Sequence, residues 1–164
     1  MSMTSSATTK VTLPSDTEIL ITREFDAPRE LVFKAMTDPD LIPRWWGPRN
    51  LTTTVDKMDV RPGGRWRYVS GAPDGTKSAF RGEYREVVAP ERIVQTFEWE
   101  PMAGHISVET ATFTEQEGRT LLTVRSLFSS KEDRDGMVQS GMEEGLRETH
   151  DRFSELLAEL RAAS

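Results

Sequence analysis

His150 is the residue whose type and spacing suit proton chemistry best. It lies four positions after Leu146 and three before Phe153. On a helix it therefore shares their apolar stripe and points toward whatever that stripe packs against. An imidazole in such a place could hydrogen-bond a ligand, or serve as acid or base in a dehydration or cyclisation. The competing reading is a histidine at the margin of the stripe, satisfied by one neighbour. The other histidine, His105, falls in a turn and is expected in solvent. The two are far apart in the chain and have no His-x-x-x-His spacing, so they form no metal pattern, and no metal or other cofactor is expected. Glu98 and Glu109 fall on expected strands, but no partner in the sequence identifies either as a general base.

The aromatic residues form the second chemical set. Trp45, Trp46, Trp66, Tyr68, Phe80, Tyr84, Phe97, Trp99, Phe113 and Phe153 could line a pocket or simply pack a core. Trp66 and Tyr68 share a face of one strand, while Met142, Leu146 and Phe153 share a face of a helix, and Met suits an adaptable apolar wall. The ligand-binding set expected from this pattern is Trp46, Trp66, Tyr68, Tyr84, Phe97, Trp99, Met142, Leu146, His150 and Phe153. Trp45-Trp46-Gly47-Pro48 reads as a lid over a cavity mouth, with an exposed docking patch as the alternative. There is no Gly-x-Ser-x-Gly elbow, phosphate loop or Gly-x-Gly-x-x-Gly fingerprint. The chain has no cysteine, which excludes disulfides, thiol nucleophiles and cysteine-ligated metals.

The elements that must position these residues can be read from the periods of the sequence. Residues 1–17, rich in Ser and Thr, are expected to be a disordered leader, with a single domain over 18–161. Ile19, Ile21 and Phe25 alternate with polar residues as a first strand, placed at a sheet edge. Asp26-Ala-Pro28 starts a helix, with Asp26 or Ala27 as cap and Pro28 in the first turn. Asp38-Pro39 ends it, and a short second helix runs through Leu41 and Ile42. Six alternating segments follow (51–60, 65–70, 79–88, 92–100, 106–115 and 119–128), separated by turns such as Arg61-Pro-Gly-Gly64. A long amphipathic helix begins after Ser129-Ser130, with Gly136, Gly141 and Gly145 marking a possible break. The expected fold class is α+β, with a curved antiparallel sheet of about seven strands wrapped on the C-terminal helix. One helix over so wide a sheet leaves room for a cavity.

Bulk properties narrow the function classes. With 164 residues, 36% hydrophobic and 29% charged, the chain suits one globular domain. A formal charge of −6, with basic residues scattered among acidic ones, argues against nucleic acid as partner. No apolar run approaches the roughly 18 residues of a membrane span, and no signal peptide is visible, so the cytoplasm is the expected compartment.

Several motifs resemble a known family. Phe25-Asp-Ala-Pro-Arg-Glu-Leu-Val-Phe33, Asp38-Pro39, Arg44-Trp-Trp-Gly-Pro48, Arg61-Pro-Gly-Gly-Arg-Trp66, Gly82-Glu-Tyr-Arg-Glu-Val87, Pro90-Glu-Arg92 and Gly141-Met-Glu-Glu-Gly-Leu146 occur in register. Together they resemble the Hsp90-ATPase-activator-homologue (AHSA1-like) family of the START/Bet v 1-like (SRPBCC) helix-grip superfamily. The resemblance implies a helix-grip fold with a cavity between sheet and C-terminal helix that binds a small apolar or amphipathic molecule. Many members have Gly-Trp where this chain has Gly141-Met142. Three functions are therefore expected in order: sequestration or carriage of such a ligand, a cyclase or dehydratase activity in the same cavity, and an Hsp90 co-chaperone role. A homodimer through sheet edges is also possible.

Overall fold

The computed structural model describes residues 8–163. Its strands are β1 (Lys10–Thr12), β2 (Glu18–Phe25), β3 (Thr52–Met58), β4 (Arg65–Gly71), β5 (Lys77–Val88), β6 (Arg92–Trp99), β7 (Ser107–Gln116) and β8 (Arg119–Leu127). They form one curved antiparallel sheet in the order β1-β2-β8-β7-β6-β5-β4-β3. Between β2 and β3 lie α1 (Arg29–Thr37) and α2 (Ile42–Trp45); α3 (Lys131–Gln139) and α4 (Met142–Ala163) end the chain. The expected α+β helix-grip architecture is present. β3 to β8 run as a meander, and β2 returns to pair with β8 from Glu18↔Leu127 to Phe25↔Thr120.

The sheet has eight strands, and the extra one lies inside the segment expected to be an unstructured leader. Lys10–Thr12 pairs with Leu20–Thr22, so β1 takes the edge that was expected for β2. Three residues are too few to show a period, and their pairing runs through backbone groups that side-chain patterns do not encode. Residues 1–7 of that expected leader lie outside the described residues. The other edge, β3, carries a register shift between Val55 and Lys57, a feature that discourages pairing with another sheet.

The helical ends also differ from expectation. Pro28 is the N-cap of α1 (φ −68°, ψ 153°), one position before the first turn, and no side chain of Asp26 or Ala27 caps the helix. The Arg29 amide instead donates to Glu115 Oε1 at 2.8 Å, a cap supplied from β7. The C-terminal helix is two helices. Ser130 caps α3 by accepting from the Asp133 amide, and the break falls at Gly141, whose φ of +84° is the left-handed conformation.

The core sits between the concave face of the sheet and α4. Ile19, Phe25, Trp66, Tyr84 and Phe113 are buried from the sheet, and Phe153, Leu156 and Leu157 from the helix. Phe153 packs edge-on to Phe25 (4.9 Å between ring centres) and stacks on Trp45 (4.3 Å). That cluster fills one end of the grip, and the remaining concave face is not filled.

Candidate functional site

Between the concave face and α4 lies a chamber of about 370 Å3. Alternation along the strands puts Ile21, Trp66, Tyr68, Phe97, Ala111, Leu122 and Val124 on its wall. The first turns of α4 bring Met142, Leu146, His150 and Phe153 to the other side. A second space of about 530 Å3 adjoins it toward α3, bordered by Met102, His105, Phe128 and Met137. Leu51, Ser70, Phe80 and Phe97 face both spaces.

Of the residues expected to line a pocket, the structure brings Trp46, Trp66, Tyr68, Phe97, Met142, Leu146, His150 and Phe153 to the chamber. Trp99 and Tyr84 stand elsewhere. Trp99 borders only the outer space and is 38% exposed, because β6 runs past the chamber by the time it reaches that position. Tyr84 borders neither space. Its backbone bonds to Gly63 and Gly64 at the closed end of the sheet, and its ring is wholly buried there. Gly82 leaves the space that the Trp66 indole occupies. A Cβ at that position would stand 1.9 Å from the Thr96 carbonyl oxygen and 2.5 Å from Trp66 Nε1.

The Trp45–Pro48 segment closes the chamber on one side. Trp45 is buried and donates from Nε1 to the Ala35 carbonyl at 2.9 Å, while Trp46 packs edge-on against Tyr68 and Phe80. Arg152 of α4 holds the segment from below. Its guanidinium donates to the carbonyl of Gly47 at 2.8 Å, and to those of Pro43, Trp46 and Pro48 at 3.3–3.4 Å. Arg49 extends the tie with a two-point ion pair to Glu155 (2.5 and 3.0 Å).

Three titratable side chains face the chamber: Tyr68, Glu109 and His150. Burial pushes the Tyr68 hydroxyl well above its usual range, and that hydroxyl donates to Met58 Sδ at 3.8 Å. His150 is 5% exposed, with Nδ1 2.8 Å from the Thr9 hydroxyl. Burial, reinforced by the charge of Arg23, lowers its pKa from 6.5 to about 4, so the ring is neutral at pH 7. The competing reading of His150, a ring satisfied by one neighbour, describes that nitrogen, although the ring also borders the chamber. His105 is exposed as expected, but it is not free, since Nδ1 lies 2.8 Å from Asp133 Oδ1.

Glu109 is the residue that the sequence placed on a strand without assigning it to the pocket. It stands near the start of β7, opposite Gln95 on β6 and Ser126 on β8, and its side chain faces the chamber with that of Gln95. Glu109 is half-buried where it borders the chamber, and this desolvation raises its pKa from 4.5 to about 7. Among the described residues it accepts no hydrogen bond and forms no ion pair. Parity was the available signal: Glu109 alternates in step with Ala111 and Phe113, which face inward. The chamber is thus an apolar box with one carboxyl, one amide and one neutral imidazole. No three His, Cys, Asp or Glu side chains cluster as metal ligands among the described residues. No helix there is long and apolar enough to cross a membrane.

The comparisons with known proteins agree with this architecture. Residues 26–158 match the family model described as activator of Hsp90 ATPase homolog 1-like protein. Among solved structures, a protein from Arthrobacter aurescens is 29% identical with a TM-score of 0.84, over 92% of this chain and 91% of its own. Protein Ms6760 from Mycobacterium smegmatis is 30% identical with a TM-score of 0.82, over 92% of this chain and 96% of its own. A protein from Rhodobacter sphaeroides is 25% identical with a TM-score of 0.86, over 92% of this chain and 98% of its own. No curated protein matches the chain significantly.

Proposed function

Because the chain belongs to the activator of Hsp90 ATPase homologue 1-like family, we propose that it binds one small apolar or amphipathic molecule between the sheet and α4, and sequesters or carries it in the cytoplasm. The observation that supports this reading is the unfilled chamber of about 370 Å3, walled by Trp66, Phe97, Leu122 and Leu146. Ligand sites run from roughly 300 to 1,000 Å3 and are mostly apolar with a few polar groups, a description this space fits. The lid residues strengthen the reading, since Arg152 and Trp46 hold a wall that core packing alone does not need.

A second reading is proton-transfer chemistry of cyclase or dehydratase type in the same chamber. The favouring observation is Glu109, whose pKa of about 7 suits a group that gives and takes a proton near neutrality. An Hsp90 contact like that of the family's namesake would use the outer surface, and nothing in the chamber bears on it.

The direct test is native mass spectrometry of protein purified from its own host, followed by extraction of anything bound. A titration with Nile red, a neutral apolar fluorophore, should saturate at one site. Met142→Trp narrows the chamber from the α4 side and should weaken that binding tenfold or more. An empty protein that neither binds the dye nor gains thermal stability from apolar compounds would end the ligand reading.

A further inference from the structure

Resting on that binding reading, we infer that the ligand is an apolar molecule carrying one cationic amine, seated on the Glu109 carboxylate with the Gln95 amide beside it. The placement of Glu109 carries the argument. Gln95, Glu109 and Ser126 form one polar row across β6, β7 and β8. The next row, Ile93, Ala111, Val124 and Ile21, is apolar throughout. A polar row two residues from a fully apolar one, on the face that meets the chamber, is a local feature with a direction.

Two other sheltered carboxylates of the sheet region, Glu98 and Glu100, are paired. Glu98 accepts from Arg81 at 2.9 Å and from the Gly104 amide at 2.6 Å. Glu100 takes both Nε and Nη2 of Arg67, at 2.7 and 3.0 Å. Glu109 has no such partner among the described residues, although a carboxylate in an apolar wall is unfavourable until paired. The other titratable groups on the chamber cannot supply the charge: Tyr68 is neutral, and His150 is kept neutral by burial and by Arg23. The counter-ion must therefore arrive with the ligand. An ammonium fits better than a hydroxyl because an ion pair gains most where water is excluded. The surrounding Trp66, Phe97 and Leu146 suit an aromatic or branched body.

The test uses three matched probes, 4-phenylbutylamine, 4-phenylbutan-1-ol and 4-phenylbutyrate, each displacing Nile red at pH 8, where Glu109 is ionised. The wild type should bind the amine at least tenfold more tightly than the alcohol, and the carboxylate most weakly. Glu109→Gln keeps the size of the side chain and removes its charge, so amine and alcohol should then bind alike. If the three probes displace the dye equally well, or if Glu109→Gln retains the amine preference, the inference fails while the chamber reading stands. If neither dye nor probes bind the wild type, both fail together.

Discussion

The Thr9 hydroxyl lies 2.8 Å from Nδ1 of His150, joining the residue ahead of β1 to the middle of α4. Both residues are almost wholly buried, and the His150 ring also meets Phe25 edge-on at 5.6 Å between centres. The first strand is thereby fixed to the helix that lines the chamber. Replacing Thr9 by Val keeps the shape but leaves a buried imidazole nitrogen unpaired, a loss of about 1–2 kcal/mol. Urea unfolding of Thr9→Val should show that decrease in stability with an unchanged slope. A midpoint equal to that of the wild type would mean the contact is not maintained in solution.

Two buried groups give opposite pH dependences. His150 titrates at about 4 in the folded protein against an ordinary 6.5. As pH falls through that window the unfolded chain binds the proton first, so stability drops. Glu109 titrates at about 7 against 4.5. The folded protein holds that proton longer, so stability drops as pH rises from 4.5 to 7. The two contributions oppose each other between 4.5 and 6.5, and the wild-type profile there should be nearly flat.

Glu109→Gln removes one of the two. Its stability should rise from pH 4 to 6.5 and then level off, exceeding the wild type at pH 8 by on the order of 2 kcal/mol, less than the full shift because the carboxyl borders an open chamber. Thermal melts of both proteins at pH 4.5 and pH 8 measure the difference. Equal gains at the two pH values would show that Glu109 is not desolvated.

Arg152→Met keeps the packing of the stem while removing the donors that hold the carbonyls of Pro43, Trp46, Gly47 and Pro48. The expected loss is about 1–2 kcal/mol, accompanied by faster hydrogen exchange confined to residues 43–51. Slower exchange there on adding ligand would link the segment to binding. Unchanged exchange in the variant would remove it as a lid.

Three glycines with ordinary backbone angles give opposite expectations. Gly82→Ala drives a Cβ into the Thr96 carbonyl and should destabilise by more than about 3 kcal/mol, or prevent folding. Gly136 and Gly145 lie in α3 and α4 with nothing within 4 Å of an added Cβ. Alanine at either should stabilise by about 0.5–1 kcal/mol. Denaturation of the three single variants measures both signs in one experiment.

The sequence alone determined the class of this protein, the order of its elements from β2 onward apart from the split of the last helix, and most of one wall of the chamber. Strand alternation is a local property, so Trp66, Tyr68 and Phe97 could be placed on an inward face before any strand was paired. Helical spacing did the same for Met142, Leu146, His150 and Phe153. What only the tertiary structure decided is where each inward face ends. Tyr84 and Trp99 have the right parity, but register sends one to the packed end of the sheet and the other past the chamber. Pairings between distant residues were equally hidden. Thr9 meets His150, Glu115 caps α1, and Glu109 comes to lie across from Gln95, all through contacts that no local period records. The same assembly left Glu109 facing the chamber with no partner among the described residues. Desolvation and partnership are properties of the space around a group, and that space does not exist until the sheet closes on α4.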